Sequence, residues 1–161
     1  MKPVHPVRST LVLGLFVAVT AGAAAVGSQF LPGAWYASLA KPFWTPPNWL
    51  FAPVWSVIYL MIAVAGWLAW RASRGKGRSM YPVLGMWTTA LALNGAWSWI
   101  MFGRHAIGAA LVDISALWLS IVAFAWLARP LSRPAALLFA PYLAWVSYAT
   151  ALNAAIWRLN P

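Results

Sequence analysis

The feature that most constrains this fold is a set of five apolar runs, each about as long as a helix that crosses a bilayer. The runs cover residues of about 9–30, 49–70, 80–102, 106–128 and 135–157. About 20 apolar residues span the hydrocarbon core, and backbone groups in lipid must pair within their own segment. The runs are continuous rather than alternating, which excludes membrane strands. The sequence therefore predicts an all-α integral membrane protein, a five-helix transmembrane bundle forming a single domain over residues 1–161.

The amino-acid composition also indicates a membrane protein. Charged residues make up only 7% of the chain, whereas a soluble domain carries roughly a quarter. The net charge of +10 comes from eleven Lys or Arg residues against one acid, Asp113. These basic residues stand in short clusters between the apolar runs. The expected partner is therefore the lipid bilayer and not nucleic acid.

The basic clusters also predict an orientation. One side of the membrane collects Lys2, Arg8, Arg71, Arg74, Lys76, Arg78, Arg129 and Arg133, and the other has Lys41, Arg104 and Arg158. Because the richer side is usually cytoplasmic, we expect a cytoplasmic N-terminus and a loop, residues 31–48, on the opposite face. A bacterial inner membrane is favoured, with an outer membrane as the alternative. The first run reaches spanning length, so we expect a retained helix and not a cleaved signal peptide.

The chain lacks the residues that most enzymes and metal centres need. It has no cysteine, and its two histidines, His5 and His105, fall at the ends of predicted helices. Asp113 alone cannot perform paired acid–base chemistry. We therefore expect no metal and no resident cofactor, and a binding protein is favoured over an enzyme.

Four side chains from four predicted helices fall at similar depths below the face that carries the loop. Counting from the helix ends at 1.5 Å per residue places Asn94 and Asp113 about 12 Å down, and Asn153 and Trp55 roughly 8 and 9 Å down. Asn94 and Asp113 are on adjacent antiparallel helices, so we expect them to be neighbours. Polar groups in hydrocarbon are costly, which makes their placement informative.

Helical spacing adds aromatic residues to this layer. Spacings of three and four place side chains on one stripe of a helix. The stripes are Trp55, Tyr59, Ile62 and Gly66 on the second helix, Asn94 and Trp97 on the third, and Tyr142, Trp145, Ala149 and Asn153 on the fifth. Two interpretations stay open. The polar groups either bond the helices to one another, or they line a ligand cavity that is mostly apolar with a few placed polar groups.

The composition of the loop favours the interpretation as a ligand cavity. Its segment KPFWTPPNW, residues 41–49, holds three prolines and two tryptophans, more stiffness and aromatic surface than a plain connection needs. The prolines restrict its conformations, and Trp44 could close the top of an aromatic site. We therefore interpret residues 31–48 as a lid.

Four segments resemble the TspO/MBR family of tryptophan-rich sensory and translocator proteins. AWYASLAKPFWTPPNWLFAPVWSVIY (34–59) resembles the family's first loop and second helix. LALNGAWSWIMFG (91–103), ALVDISALWLS (110–120) and PYLAWVSYATALNAAIWRLN (141–160) resemble its third, fourth and fifth helices in the right order. The resemblance covers the chain from about residue 10.

The resemblance implies a five-helix bundle, commonly a homodimer, that binds porphyrins, sterols in some members, and synthetic aromatic ligands beneath the first loop. The matching cavity positions are Trp35, Tyr36, Trp44, Trp55, Asn94, Trp97, Asp113, Trp145, Ala149 and Asn153. Trp55 and Trp145 match the pair linked to light-dependent porphyrin breakdown in some bacterial members. The family's sterol-recognition segment has an aromatic residue where this chain has Ala154, which puts sterol binding there in doubt.

Three functions follow as expectations. The leading one is a membrane protein that binds porphyrins in the cavity, as a sensor, regulator or translocator, with the porphyrin a ligand rather than a cofactor. The carboxylates of the porphyrin could approach Lys41, Arg104 or Arg158. The second is an enzyme that degrades porphyrin with light and oxygen, using Trp55 and Trp145 as catalytic residues. The third is a scaffold whose polar layer only locks the helices together.

Overall fold

The computed structural model describes residues 6–76 and 79–161, and every regular element in these two stretches is helical. In chain order the α-helices are α1 (Pro6–Gly27), α2 (Ala34–Ser38), α3 (Phe51–Lys76), α4 (Tyr81–Ser98), α5 (Ile107–Ala128), α6 (Arg133–Leu138) and α7 (Ala140–Leu159). A 3₁₀ turn, Asn48–Leu50, precedes α3, and a π-helical turn, Trp99–Gly103, extends α4. Lys2, His5 and Arg78, used above, lie outside the described residues. The predicted all-α class is confirmed.

The five long helices pack as a bundle. Helix α1 lies against α3 and α4, α4 against α5, and α5 against α7, while the short α6 packs on α3. We call the two ends of the bundle the loop end, where residues 31–48 lie, and the arginine end, which carries Arg71, Arg74, Arg129 and Arg133. Helices α1, α4 and α7 finish at the loop end, so three helix ends and the loop surround one volume.

Four stretches of the described chain are long and apolar enough to cross a membrane: Pro6–Gly27, Asn48–Arg74, Ile107–Ala128 and Arg133–Leu159. The predicted count of five is therefore too high by this criterion. Helix α4 is long enough, with 18 residues, but Asn94, threonines and tryptophans among its apolar side chains make it less apolar than these four stretches. It packs between α1 and α5, where Asn94 is buried. The Asn94 amide therefore meets neighbouring helices instead of lipid, whereas the exposed Thr88 hydroxyl bonds carbonyls of its own helix.

Two helix boundaries differ from the prediction. Helix α3 continues past residue 70, and the guanidinium groups of Arg71 and Arg74 lie over the rings of Trp67 and Trp70, at 4.7 and 5.8 Å. Long basic side chains at a helix end can keep their apolar stems against the helix in this way. The last predicted helix is divided into α6 and α7, because Pro141 has no N–H to continue the hydrogen-bond ladder.

The core at mid-bundle depends on one glycine. A Cβ atom on Gly66 would lie 2.7 Å from the Phe16 ring and 2.8 Å from the Trp87 indole nitrogen. The absence of a side chain lets Phe16 pack edge-on against Trp87 at 4.9 Å between centroids. The Trp87 N–H donates to the Ile62 carbonyl at 2.9 Å. Ile62 and Gly66 thus belong to the helix-packing core, although the stripe pattern grouped them with Trp55 and Tyr59.

The π-helical turn shapes the return from α4 to α5. Arg104 N–H donates to the Trp99 carbonyl, and Ala106 N–H to the Ile100 carbonyl, at 2.9 and 3.1 Å. His105 closes the turn with φ of 55°, in the left-handed region that few non-glycine residues adopt. Extra residues in the last helical turn change the direction in which its side chains point. Met101 and Phe102 consequently reach the volume beneath the loop.

Candidate functional site

A cavity of about 340 Å³ lies at the loop end, bounded by α1, α3, α4, α7 and the loop. This volume is at the lower end of the range for small-molecule sites. Seven residues predicted from the sequence line it: Tyr36, Trp55, Tyr59, Asn94, Trp97, Ala149 and Asn153. Most of the remaining lining is apolar or aromatic. The composition is that of a ligand cavity with a few polar groups at fixed positions.

A chain of hydrogen bonds crosses one side of this cavity. The Tyr59 hydroxyl donates to Asn94 Oδ1 at 2.6 Å, and Asn94 Nδ2 donates to the Tyr142 hydroxyl at 3.3 Å. Helices α3, α4 and α7 each supply one member. Asn94 is 5% exposed, so this amide is bonded on both sides and cannot rotate freely. The bonds fix the Tyr59 and Asn94 side chains at the cavity wall before any ligand is present.

A second pair of bonds fixes another part of the cavity wall. The Trp97 indole N–H donates to Asn153 Oδ1, and Asn153 Nδ2 donates to the Ile107 carbonyl, both at 3.0 Å. Asn153 is 2% exposed and lies where α4, α5 and α7 meet. The amide therefore performs two tasks: it joins three helices, and it fixes the plane of the Trp97 ring beside the cavity.

The wall contributed by α3 is aromatic and continues behind the cavity. The Trp55 ring lies 5.4 Å from the Tyr59 ring and 6.5 Å, nearly perpendicular, from the Trp145 ring. Trp145 in turn contacts Phe51 and Tyr148, at 5.7 and 5.9 Å between centroids. The buried Trp145 Nε1 has no hydrogen-bond partner in the described part of the chain. Trp55 faces the cavity, and Trp145 supports it from behind.

The first part of the loop is held by Tyr36 and Lys41. Tyr36 on α2 is 6% exposed and packs edge-on against Phe102 at 5.4 Å. Burial, with a smaller contribution from Tyr148, raises the pKa of the Tyr36 phenol, which keeps it neutral. The Lys41 ammonium donates to the carbonyls of Tyr36, Ala37 and Leu39 at 2.6, 3.2 and 3.0 Å. Lys41 therefore closes the loop on itself and has little capacity left for a ligand carboxylate.

Three contacts tie the loop to the bundle. Ala40 exchanges two hydrogen bonds with the Asn160 side chain, at 3.0 and 2.9 Å. The Tyr148 hydroxyl donates to the Trp44 carbonyl at 2.6 Å. Trp35 stacks on His105, with centroids 4.1 Å apart and planes 11° apart. Because the loop is attached at these separate points, it covers the cavity in a defined position.

Five predicted site residues do not line the cavity: Trp35, Trp44, Asp113, Tyr142 and Trp145. Trp35 and Trp44 hold the loop, as just described. Tyr142 is fully buried and bonds Asn94, and Trp145 stands behind Trp55. Asp113 was expected beside Asn94 and is absent from the cavity lining, and the hydrogen bonds of Asn94 go to the two tyrosines. Asp113 Oδ2 is buried with no hydrogen-bond partner in residues 6–76 and 79–161.

The end of α1 was missing from the predicted site. Gly27 and Ser28, with Ala24 one turn earlier, form a small-residue side of the cavity, and Phe30, Leu31 and Pro32 continue it. A Cβ atom on Gly27 would lie 3.5 Å from Ser98 Oγ and 3.8 Å from the Tyr59 hydroxyl. The sequence signal here is the run of small residues toward the end of α1, a pattern that is typical of close helix packing and gives no indication of a cavity.

Comparison with known proteins adds an independent result. The model of the TspO/MBR family matches residues 11–158. Protein CrtK of Rhodobacter capsulatus is 39% identical over 158 residues, covering 95% of each chain. The translocator protein of Homo sapiens is 40% identical over 138 residues, which is 84% of this chain and 82% of that protein. The tryptophan-rich sensory protein of Cereibacter sphaeroides is 34% identical over 145 residues, or 90% and 89%.

Proposed function

The chain belongs to the TspO/MBR family of membrane proteins, and we propose that it binds a flat aromatic ligand of the porphyrin class in the cavity beneath residues 31–48. In this role the protein is a sensor, regulator or translocator of that ligand. The names of its relatives, translocator protein and tryptophan-rich sensory protein, belong to the same range of roles. The observation that carries the proposal is the rigid aromatic cavity under a tethered loop.

The chemistry of the lining favours a flat aromatic ligand. Trp55, Tyr59 and Trp97 present ring surfaces, and stacked or edge-on ring contacts need no exact hydrogen-bond register. Asn94 and Asn153 are already bonded on both sides, so they position the rings more than they bind strongly polar ligand groups. A mostly hydrocarbon ligand with polar groups at its edge fits this arrangement.

The ionised edge of such a ligand needs cations at the loop end. Lys41 is engaged by three carbonyls. Arg104 and Arg158 are exposed there, and the Arg104 guanidinium lies 5.8 Å from the Trp99 ring. We assign the ligand carboxylates to these two arginines. The C-terminal end of α7 and the turn before α5 then receive the polar edge, with the ring system below them.

Titration of the purified protein with protoporphyrin in the dark tests the proposal, with tryptophan fluorescence as the readout. We expect saturable quenching with one site per chain, and at least tenfold weaker binding when Trp55 and Trp97 are both replaced by leucine. Trp126→Leu is the control, because Trp126 is 74% exposed on α5 at the arginine end. Equal affinities of the double variant and the control would reject the cavity as the site.

A second function is favoured by one contact, the 6.5 Å perpendicular approach of the Trp55 and Trp145 rings. Trp55 faces the cavity, and Trp145 is shielded behind it. An excited porphyrin would take one electron from Trp55, and molecular oxygen would add to the resulting porphyrin radical anion. Return of that electron to the oxidised indole leaves a neutral porphyrin–dioxygen adduct, which opens to the product and restores Trp55. We expect illumination to give one defined product with the wild type. Bleaching at the same rate with Trp55→Phe, Trp145→Phe would reject enzymatic degradation.

A further inference from the structure

The arginine end holds a concave site of its own, remote from the ligand cavity. Trp126, Leu127, Arg129, Pro130 and Arg133 surround a depression of about 740 Å³ where α5 turns into α6. We call these five residues the basic pocket. Arg129 and Arg133 are both exposed. Two guanidinium groups from consecutive helices thus share one depression beside a tryptophan.

The backbone under the basic pocket is fixed by local bonds and packing. Leu131 N–H and Ser132 N–H both donate to the Ala128 carbonyl, at 2.9 and 2.8 Å. The Ser132 hydroxyl accepts from Ala135 N–H at 3.3 Å. Leu131 is 5% exposed, and Ala128 and Ala135 are fully buried. The positions of the two arginine backbones are therefore set by the fold.

Among residues 6–76 and 79–161, no acidic side chain pairs with the charges of the basic pocket. The single acid, Asp113, lies sixteen residues before Arg129 on α5, about 24 Å along the helix. In residues 6–76 and 79–161, neither Arg129 nor Arg133 has a side-chain hydrogen bond or ring contact. Arg71 and Arg74 at the same end differ, because each lies over an indole ring. The pocket therefore offers two unpaired guanidinium groups to an external anion.

The position of the pocket determines which anion fits. Trp126 is 74% exposed at the end of an apolar helix, the place where tryptophan meets the interfacial region of a bilayer. Guanidinium groups bind phosphate through two parallel hydrogen bonds. Basic pockets near helix ends on one membrane face are suited to anionic lipid headgroups. In a phospholipid, the phosphate can accept hydrogen bonds from the arginines while the acyl chains cover the Trp126 ring.

We propose that the basic pocket is a binding site for one anionic phospholipid. The phosphate group lies between the Arg129 and Arg133 guanidiniums, and the glycerol and first acyl carbons lie on Trp126. The lipid closes the α5–α6 turn from outside, so its binding stabilises the bundle at the end opposite to the ligand cavity.

Native mass spectrometry of the full-length, delipidated protein with added phosphatidylglycerol tests the proposal, using phosphatidylcholine for comparison. We expect a first phosphatidylglycerol bound at least tenfold tighter than phosphatidylcholine. Arg129→Gln, Arg133→Gln should weaken that first site about 30-fold, since each arginine near an anionic headgroup contributes about fivefold. The matched control is Arg71→Gln, Arg74→Gln, which removes the same charge from the same end and should change affinity less than threefold.

Three outcomes would overturn the proposal. Equal losses in the two double variants would mean diffuse attraction of the whole basic end. Equal affinity for the two lipids would mean that the pocket does not distinguish an anionic headgroup from a zwitterionic one. Inorganic phosphate that raises the melting temperature as much as phosphatidylglycerol would assign the pocket to a free anion. Arg129→Lys, Arg133→Lys keeps the charge, and we expect it to recover only part of the affinity because lysine cannot form the paired bonds.

Discussion

Tyr59 and Asn94 lie 35 residues apart in the chain, and their side chains form a 2.6 Å hydrogen bond at the wall of the cavity. Asn94 passes the connection to the buried Tyr142 on α7. Three helices are therefore joined at the depth where a ligand would lie. The same hydrogen bonds therefore stabilise the helix bundle and form the cavity wall. Residues that make these bonds can be distinguished from residues that only face the cavity.

Replacing Asn94 by alanine should destabilise the bundle by about 1–2 kcal/mol, because a buried hydroxyl loses its acceptor and another loses its donor. Unfolding in mild detergent, followed by circular dichroism, measures the loss. Thr88→Ala on the same helix is the control, since the exposed Thr88 hydroxyl bonds only to carbonyls of its own helix. Equal stability of the two variants would contradict a structural role for the Tyr59–Asn94–Tyr142 chain.

Gly66→Ala should be more damaging than a glycine substitution in a helix usually is. Its new methyl group would overlap the Phe16 ring and the Trp87 indole, and such overpacking costs about 1–3 kcal/mol. Gly85→Ala on α4 has no atom within 4 Å of the added carbon and should be neutral or stabilising. Thermal unfolding of both variants gives the comparison. A Gly66→Ala protein as stable as Gly85→Ala would show that Phe16 and Trp87 can move apart freely.

Gly27→Leu should block the cavity while leaving the fold intact. The first carbon of the new side chain meets Ser98 and Tyr59 at ordinary contact distances, and the rest extends into the space beneath the loop. We expect protoporphyrin affinity to fall at least tenfold with a melting temperature close to that of the wild type. Gly22→Leu, also on α1, has open space around it and should bind normally. Similar affinities of the two variants would place the ligand elsewhere.

Loosening the loop should alter how long a ligand stays. Tyr148→Phe frees the Trp44 carbonyl, and Asn160→Ala frees both bonds to Ala40. Each bond is worth about 0.5–1.5 kcal/mol, so dissociation of protoporphyrin should accelerate about twofold to tenfold for Tyr148→Phe, which loses one bond, and about fivefold to 150-fold for Asn160→Ala, which loses two. Stopped-flow dilution measures that rate. Thr150→Ala, whose hydroxyl bonds only to its own helix, is the control and should leave it unchanged. Unaltered dissociation in both loop variants would mean that the loop does not retain the ligand.

Depth counting worked for residues whose position along a helix decides their role. Asn94 and Asn153 are far apart in sequence and both reach the cavity wall, as their distances from the helix ends suggested. Depth says nothing about rotation around the helix axis, and Asp113 shows the consequence. Its predicted depth matches that of Asn94, yet it is absent from the cavity lining. Side-chain direction depends on how helices pack, which one sequence does not reveal.

Other features had no local signal at all. The π-helical turn at Trp99–Gly103 and the positive φ of His105 result from how α4 meets α5. The role of Gly27 needed the tertiary arrangement, because a small residue facing a partner helix and one facing an open volume look alike in sequence. The loop was easier to interpret, since prolines and tryptophans restrict both its conformation and its surroundings.

The central claim is that the cavity under residues 31–48 is where a porphyrin-class ligand binds. A crystal structure of the protein with protoporphyrin tests this most directly. The account predicts the macrocycle in contact with Trp55 and Trp97, above the Tyr59–Asn94 pair, with its carboxylates toward Arg104 and Arg158. A macrocycle found only on the outer surface of the helices, with the cavity unchanged, would contradict it.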